Sequence, residues 1–183
     1  MSTSDLKSIN FIQELSLQSF FYSQLQEFNK KSVEPLESET IYYSSLVMDK
    51  YGESQNYFEV IEGRVRDKIL GKKLLEASSM KKEEKKRTLK EVGDTALVIC
   101  GFFSDSLNRK IIDINYYKDL GQSAYLRLNS VIPNAYDVPS FFKNFSIKFE
   151  RITSVMSLVS EKTLSNSFDS EDAYLIITKK VVG

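Results

Sequence analysis

Histidine and tryptophan are missing from this chain, cysteine occurs once, and 183 residues hold only three prolines and seven glycines. Each shortage excludes something. Without histidine there is neither the commonest general base nor the commonest metal ligand. A lone cysteine, Cys100, rules out thiolate metal clusters and disulfides within the chain. Any catalysis would rest on Asp, Glu, Lys, Tyr, Ser or a bound cofactor. No P-loop, dinucleotide fingerprint, EF-hand loop or G-x-S-x-G elbow is present to hold or use one. The expectation is no metal, no cofactor, and a balance tilted away from an enzyme.

Long hydrophobic runs are also missing. The longest, "ALVICGFF", is far short of the ~20 residues that a spanning helix needs. The opening "MSTSDLKSINFIQEL" has neither a basic n-region nor an apolar core, so no signal peptide is expected and the chain reads as cytoplasmic. Few prolines and glycines argue against long linkers. Lysine plus arginine, 25, equals aspartate plus glutamate, 25, so no overall field recruits nucleic acid or anionic lipid.

What is present is ordinary for a globular chain: 42% hydrophobic and 27% charged residues. A chain of this length commonly makes one domain that buries roughly 70% of its unfolded surface. Residues 1–183 are therefore read as a single domain, without internal repeat or boundary.

Helical spacing dominates. Leu17, Phe20, Phe21, Gln24, Leu25 and Phe28 share one face of a helix over Phe11 to Lys31, which Pro35 ends. A second helix from Ser38 carries Ile41, Tyr42, Leu46 and Val47, and "DKYGESQN" reads as loop. "YFEVIEGRVR" permits a hairpin but is read as irregular, followed by helix from Arg66 to Ser78. Ser79 is placed as the N-cap of a long helix with Glu83 and Glu84 in its first turns. On that helix Leu89, Val92, Gly93, Ala96, Cys100 and Phe103 align, and Leu107 extends the face.

A further helix, capped by Asp113 or Asn115, aligns Tyr117, Leu120, Gly121, Ala124, Tyr125 and Leu128. The small residues Gly93, Ala96, Gly121 and Ala124 predict that these two helices cross closely. "SVIPNAYDVP" is a loop. Phe142, Phe145, Phe149, Ile152, Met156 and Val159 then follow at heptad-type spacing on one bundle helix. Packing within the chain and a homodimer along that seam stay open as alternatives. At the C-terminus Ser170 can cap a last helix, while "YLIIT" suits a strand equally. The expected fold is all-α, a bundle of six or seven helices.

Three features could carry chemistry. Residues 61 to 90 hold eleven Lys or Arg against five acids, and residues 1 to 60 hold nine acids against four bases. "KKEEKKRTLK" resembles a phosphate-binding patch, but no aromatics interleave its lysines, which argues against nucleic acid. Asp105, Arg109 and Asp113 recur every four residues. They read as a polar clamp between helices, or as an anion site in which Arg109 and Lys110 bind and Tyr116, Tyr117 or Tyr125 supplies a hydroxyl. Arg109 between the two aspartates lowers their pKa and speaks against an acid–base pair. Cys100, mid-helix and apolar in its surroundings, reads as a buried inert thiol.

The run "GDTALVICGFFSDSLNRKIIDINYYKDLGQSAY" resembles an uncharacterised family of small helical bacterial proteins. The likeness rests on Gly93, Asp94, Gly101, Phe102, Phe103, Ser106, Leu107, Arg109, Asp113, Tyr116, Tyr117, Gly121, Ala124 and Tyr125, with Gln122 where the family has a second glycine. It extends more weakly to "FFYSQLQEF", "YYSSLV", "FERITSVMSLVSE" and the C-terminal segment. The resemblance implies a bacterial cytoplasmic, single-domain helical protein, with the C-terminal segment helical, and brings no activity. Together these readings favour a non-catalytic interaction or regulatory module with a protein partner. The alternative is a protein binding a small anion, a nucleotide or phosphate, through Arg109, Lys110 and nearby tyrosines.

Overall fold

The computed structural model describes residues 16–53, 64–102 and 114–166. Asn29 shows how the first two helices are joined. Its amide donates to the Leu36 carbonyl at 2.9 Å, and its side-chain oxygen accepts from the Leu36 N–H at 2.7 Å. This buried exchange satisfies both backbone groups of Leu36, directly after Pro35, where the chain cannot continue a helix. It joins α1 (Leu17–Lys30) to α2 (Ser38–Glu53). The α1 N-terminus is closed by Ser16, whose hydroxyl accepts from the Ser19 N–H at 3.1 Å.

The fold is all-α. Among the described residues there are seven helices: α1, α2, α3 (Arg64–Glu76), α4 (Lys82–Phe102), α5 (Ile114–Val131), α6 (Phe141–Ile147) and α7 (Phe149–Asn166). A 3₁₀ turn over Ala77–Ser79 links α3 to α4. A small antiparallel hairpin, β1 (Asn134–Ala135) and β2 (Val138–Pro139), pairs Asn134 with Pro139 and Ala135 with Val138. None of the described helices is long and apolar enough to cross a membrane.

Helix α4 is the axis. It packs most extensively on α5, with α7 against another side, and α1 bridges α2 and α7. Its second half is buried nearly all round, from Val92 to Gly101 apart from Thr95. The two small-residue stripes meet here. A Cβ added at Gly121 would lie 2.4 and 2.5 Å from ring atoms of Phe149 and 3.1 Å from the Cβ of Ala96. One added at Gly93 would lie 2.9 Å from the Tyr125 ring. Both glycines are needed because aromatic rings occupy the space a side chain would take.

Several local expectations change. Helix α2 runs on through "DKYGE", which was expected as loop, and it buries Ile41, Tyr43, Val47, Met48 and Tyr51 while Tyr42 points outward. Ser44 and Ser45, also buried, donate to the carbonyls of Thr40 and Tyr42. Such self-satisfied serines cost little to bury, so the true face looks too polar in sequence. Ser79 is not an N-cap: its hydroxyl donates back to the Glu76 carbonyl at 2.9 Å, and α4 starts at Lys82. Asn115 lies inside α5 rather than before it.

The six-residue seam is real but bent. Phe142, Phe145, Phe149, Ile152, Met156 and Val159 are all buried within the chain, on two helices separated at Lys148. Helix α6 follows Ser140, which sits at φ 53° and provides no side-chain cap, so Asn129 of α5 accepts from the Lys143 N–H at 3.2 Å instead. "YFEVIEG", the residues before Ser16, the segment 103–113 and the C-terminal Ser170 and "YLIIT" stretch lie outside the described residues.

Candidate functional site

Asp94 is fully buried in α4. A buried carboxylate is tolerable only when paired and hydrogen-bonded, and here every side of it is met. The Tyr43 hydroxyl of α2 donates to Oδ1 at 2.5 Å and the Tyr125 hydroxyl of α5 donates to the same oxygen at 2.9 Å. Lys90, one turn earlier on α4, places Nζ 2.6 Å from Oδ2. The same ammonium lies 4.9 Å from the centre of the Tyr43 ring. Lys90 is the outer wall of the cluster, with 38% of its side chain exposed.

An aromatic shell closes the rest. Tyr43 meets Tyr125, Phe141, Phe142 and Phe145 edge-to-face, at centroid distances of 6.2, 5.6, 5.5 and 5.0 Å. Tyr125 stacks parallel to Phe142. Burial, and then the Asp94 charge, push both tyrosine hydroxyls well above the ordinary value near 10. The folded protein thus keeps these protons where the unfolded chain releases them. Their stabilising contribution is whole below pH about 10 and declines as pH rises beyond it. In an alkaline titration followed by phenolate absorbance, at least two of the ten tyrosines should stay silent until cooperative unfolding. All ten ionising in a protein that keeps its helical circular dichroism would show that the cluster is open.

Outside this closed interior runs an aromatic edge. Tyr22 of α1, Tyr42 of α2 and Tyr136 of the hairpin stand edge-to-face, with centroids 6.4 and 6.2 Å apart. Tyr42 is 43% exposed and Tyr136 38%, so both present ring surface to solvent. The inner side of Tyr136 rests on Tyr43 at 5.5 Å and Phe141 at 5.0 Å. Tyr136 and Asp137 form the hairpin tip with φ of 54° and 59°. Positive φ at both central positions is the habit of Asn-Gly turns, not of tyrosine. Holding non-glycine residues there costs of order 1 kcal/mol each. The backbone is strained at the residue that completes the edge.

Of the residues singled out by sequence, Asp105, Arg109, Lys110 and Asp113 lie outside the described residues. Tyr117 is buried, and the Tyr125 hydroxyl is committed to Asp94 rather than offered beside Arg109. Tyr116 is at the surface, its hydroxyl 2.6 Å from where a Gly71 Cβ would stand. It helps line a shallow groove of about 480 Å³ with Gly71, Lys72, Leu74, Leu75 and Leu120. Gly93, Ala96, Gly121 and Ala124 sit at the α4–α5 crossing, as described above. In the basic stretch, Lys90 serves Asp94, Lys86 pairs with Glu83, and Lys73 of α3 pairs with Glu91 at 2.6 Å. Cys100 is buried, its thiol raised to about 12 by desolvation, so no thiolate forms near neutral pH.

Sequence reasoning missed the Asp94 cluster and the tyrosine edge. The available signal was an aspartate between Gly93 and the apolar stretch from Ala96 to Cys100, with a lysine one helical turn before it. Among the described residues no group of three metal-ligating side chains comes together. Comparison with protein-family models, with curated proteins and with solved structures finds no match to this chain.

Proposed function

We propose that this chain is a non-catalytic interaction module of the bacterial cytoplasm, docking a protein partner along the Tyr22–Tyr42–Tyr136 edge. The bacterial and cytoplasmic setting comes from the sequence resemblance. The observation that carries the docking reading is the strained, pre-ordered presentation of Tyr136 beside Tyr42. Outlying backbone geometry held by its surroundings tends to mark function. Tyrosine is also a common interface anchor because it offers large contact area at small entropic cost.

The interior holds no free carboxylate among the described residues. Asp94 is the one carboxylate among the described residues that is buried, and both its oxygens are occupied by the chain's own donors. Of the tyrosines named for the anion-binding alternative, Tyr117 and Tyr125 are enclosed and Tyr116 is at the surface, while Arg109 and Lys110 lie outside the described residues.

A photo-cross-linking amino acid tests the reading when placed at Tyr42, with Leu75 on α3, 72% exposed, as the control position. In the native host, position 42 should yield an adduct of discrete mass, and the Leu75 position should not. The adduct should fade when Tyr136→Ala is added. Equal labelling at both positions, or none at position 42, overturns the proposal.

A further inference from the structure

The edge described above differs from an ordinary apolar patch in the charges around it. On α2, Glu39, Tyr42, Leu46 and Asp49 follow one another at spacings of three, four and three, so they form a single stripe along the helix. Asp137 directly follows Tyr136 at the hairpin tip. Among the described residues none of these three carboxylates forms an ion pair, whereas Glu27, Glu34 and Glu37 of the same region all do. Over residues 16–53 six carboxylates face only three lysines.

The inner ring of the same aromatic series already holds a cation. Lys90 lies over Tyr43 at 4.9 Å, and Tyr43 touches Tyr136 at 5.5 Å. An aromatic face attracts a cation through its ring quadrupole, and a nearby carboxylate supplies the counter-charge. The chain meets both needs internally at Tyr43 and presents the same pair of features outwardly at Tyr42 and Tyr136.

We infer that the docking partner carries an arginine-bearing basic segment, whose guanidinium groups lie on Tyr42 and Tyr136 and pair with Glu39, Asp49 and Asp137. This rests on the reading of the tyrosine edge as the docking surface. Arginine suits it better than lysine. Its planar, weakly hydrated group stacks on a ring and still offers a fork of donors to a carboxylate. Nucleic acid does not fit, because its phosphates would meet three carboxylates.

The test uses the full chain and fluorescently labelled synthetic peptides, read by anisotropy. One peptide alternates arginine with glycine; others replace arginine by lysine, by glutamate, or by proline to give a neutral chain. The arginine peptide should bind, with the lysine peptide about fivefold weaker or more. Its affinity should fall as salt rises. Tyr42→Leu and Tyr136→Leu should each weaken it several-fold, as should the combined Glu39→Gln, Asp49→Asn and Asp137→Asn variant. Circular dichroism checks that these surface variants remain folded.

Arginine and glutamate peptides binding alike, or tyrosine variants without effect, overturns the inference. Tight binding of the neutral proline peptide at Tyr42 also overturns it, while leaving the docking surface in place. Self-association through the chain's own basic segment, seen as a dimer mass abolished by Tyr42→Leu, replaces the separate partner with a second copy and overturns it too. No peptide binding together with no cross-link at position 42 removes the docking reading itself.

Discussion

Asp94→Ala should lower stability by about 3–5 kcal/mol, the cost of stranding two buried hydroxyls with a now partnerless cation beside them. Tyr43 and Tyr125 are both fully enclosed and both donate to this one carboxylate, so neither can turn to water. Lys90 can, because part of its side chain already reaches solvent. The conservative series therefore separates the contributions. Asp94→Asn retains an acceptor for the two hydroxyls and loses only the charge partner, and should cost about half as much. Lys90→Met leaves a buried carboxylate with two hydroxyl donors and no cation, and should fall between. Urea midpoints at unchanged slope measure all three. An Asp94→Ala loss below about 1 kcal/mol would mean that the hydroxyls find other partners and that the cluster is incidental.

Gly121→Val should be nearly as damaging, at about 3 kcal/mol. Alanine at this position would bring about 1 kcal/mol of helix propensity. Its Cβ would nonetheless fall 2.4 Å from the Phe149 ring, which is itself fully buried, so Gly121→Ala should still be a net loss. Valine adds two methyl groups where α4, α5 and α7 meet. Phe149→Leu should recover part of the loss in the double variant, since neighbours in contact do not add independently. Gly71→Ala is the control. There the new Cβ meets only the hydroxyl end of Tyr116, a residue 38% exposed, so the outcome should lie between neutral and the full propensity gain of about 1 kcal/mol.

Periodicity was the legible part. Tyr117, Leu120, Gly121, Ala124, Tyr125 and Leu128 are buried on α5 as their spacing predicts, because an apolar stripe at helical spacing leaves that helix one way to lie. The close α4–α5 approach was readable for the same reason: four small residues recur on two neighbouring faces. What spacing cannot convey is which polar residue turns inward. Asp94 reads as solvent-facing until Tyr43 and Tyr125, 51 and 31 residues distant, arrive to satisfy it. Choosing Tyr42 over Tyr43 as the inner residue has a like origin, since Ser44 and Ser45 disguise the buried side of α2 by bonding their own backbone. The tyrosine edge was hidden for a different reason. Tyr22, Tyr42 and Tyr136 come from three elements, and their meeting depends on a turn whose left-handed residues carry no glycine to announce it.

The interruption at Lys148 bears on how this chain can associate. Had residues 141–166 formed one straight rod, its six large apolar side chains would have stood in a single line, the geometry that zips two copies together. Divided in two, the line wraps around its own molecule, and each of the six is enclosed there. A stripe already covered at home has nothing left to offer a neighbour. Any assembly this chain enters while folded must be built from other side chains than these.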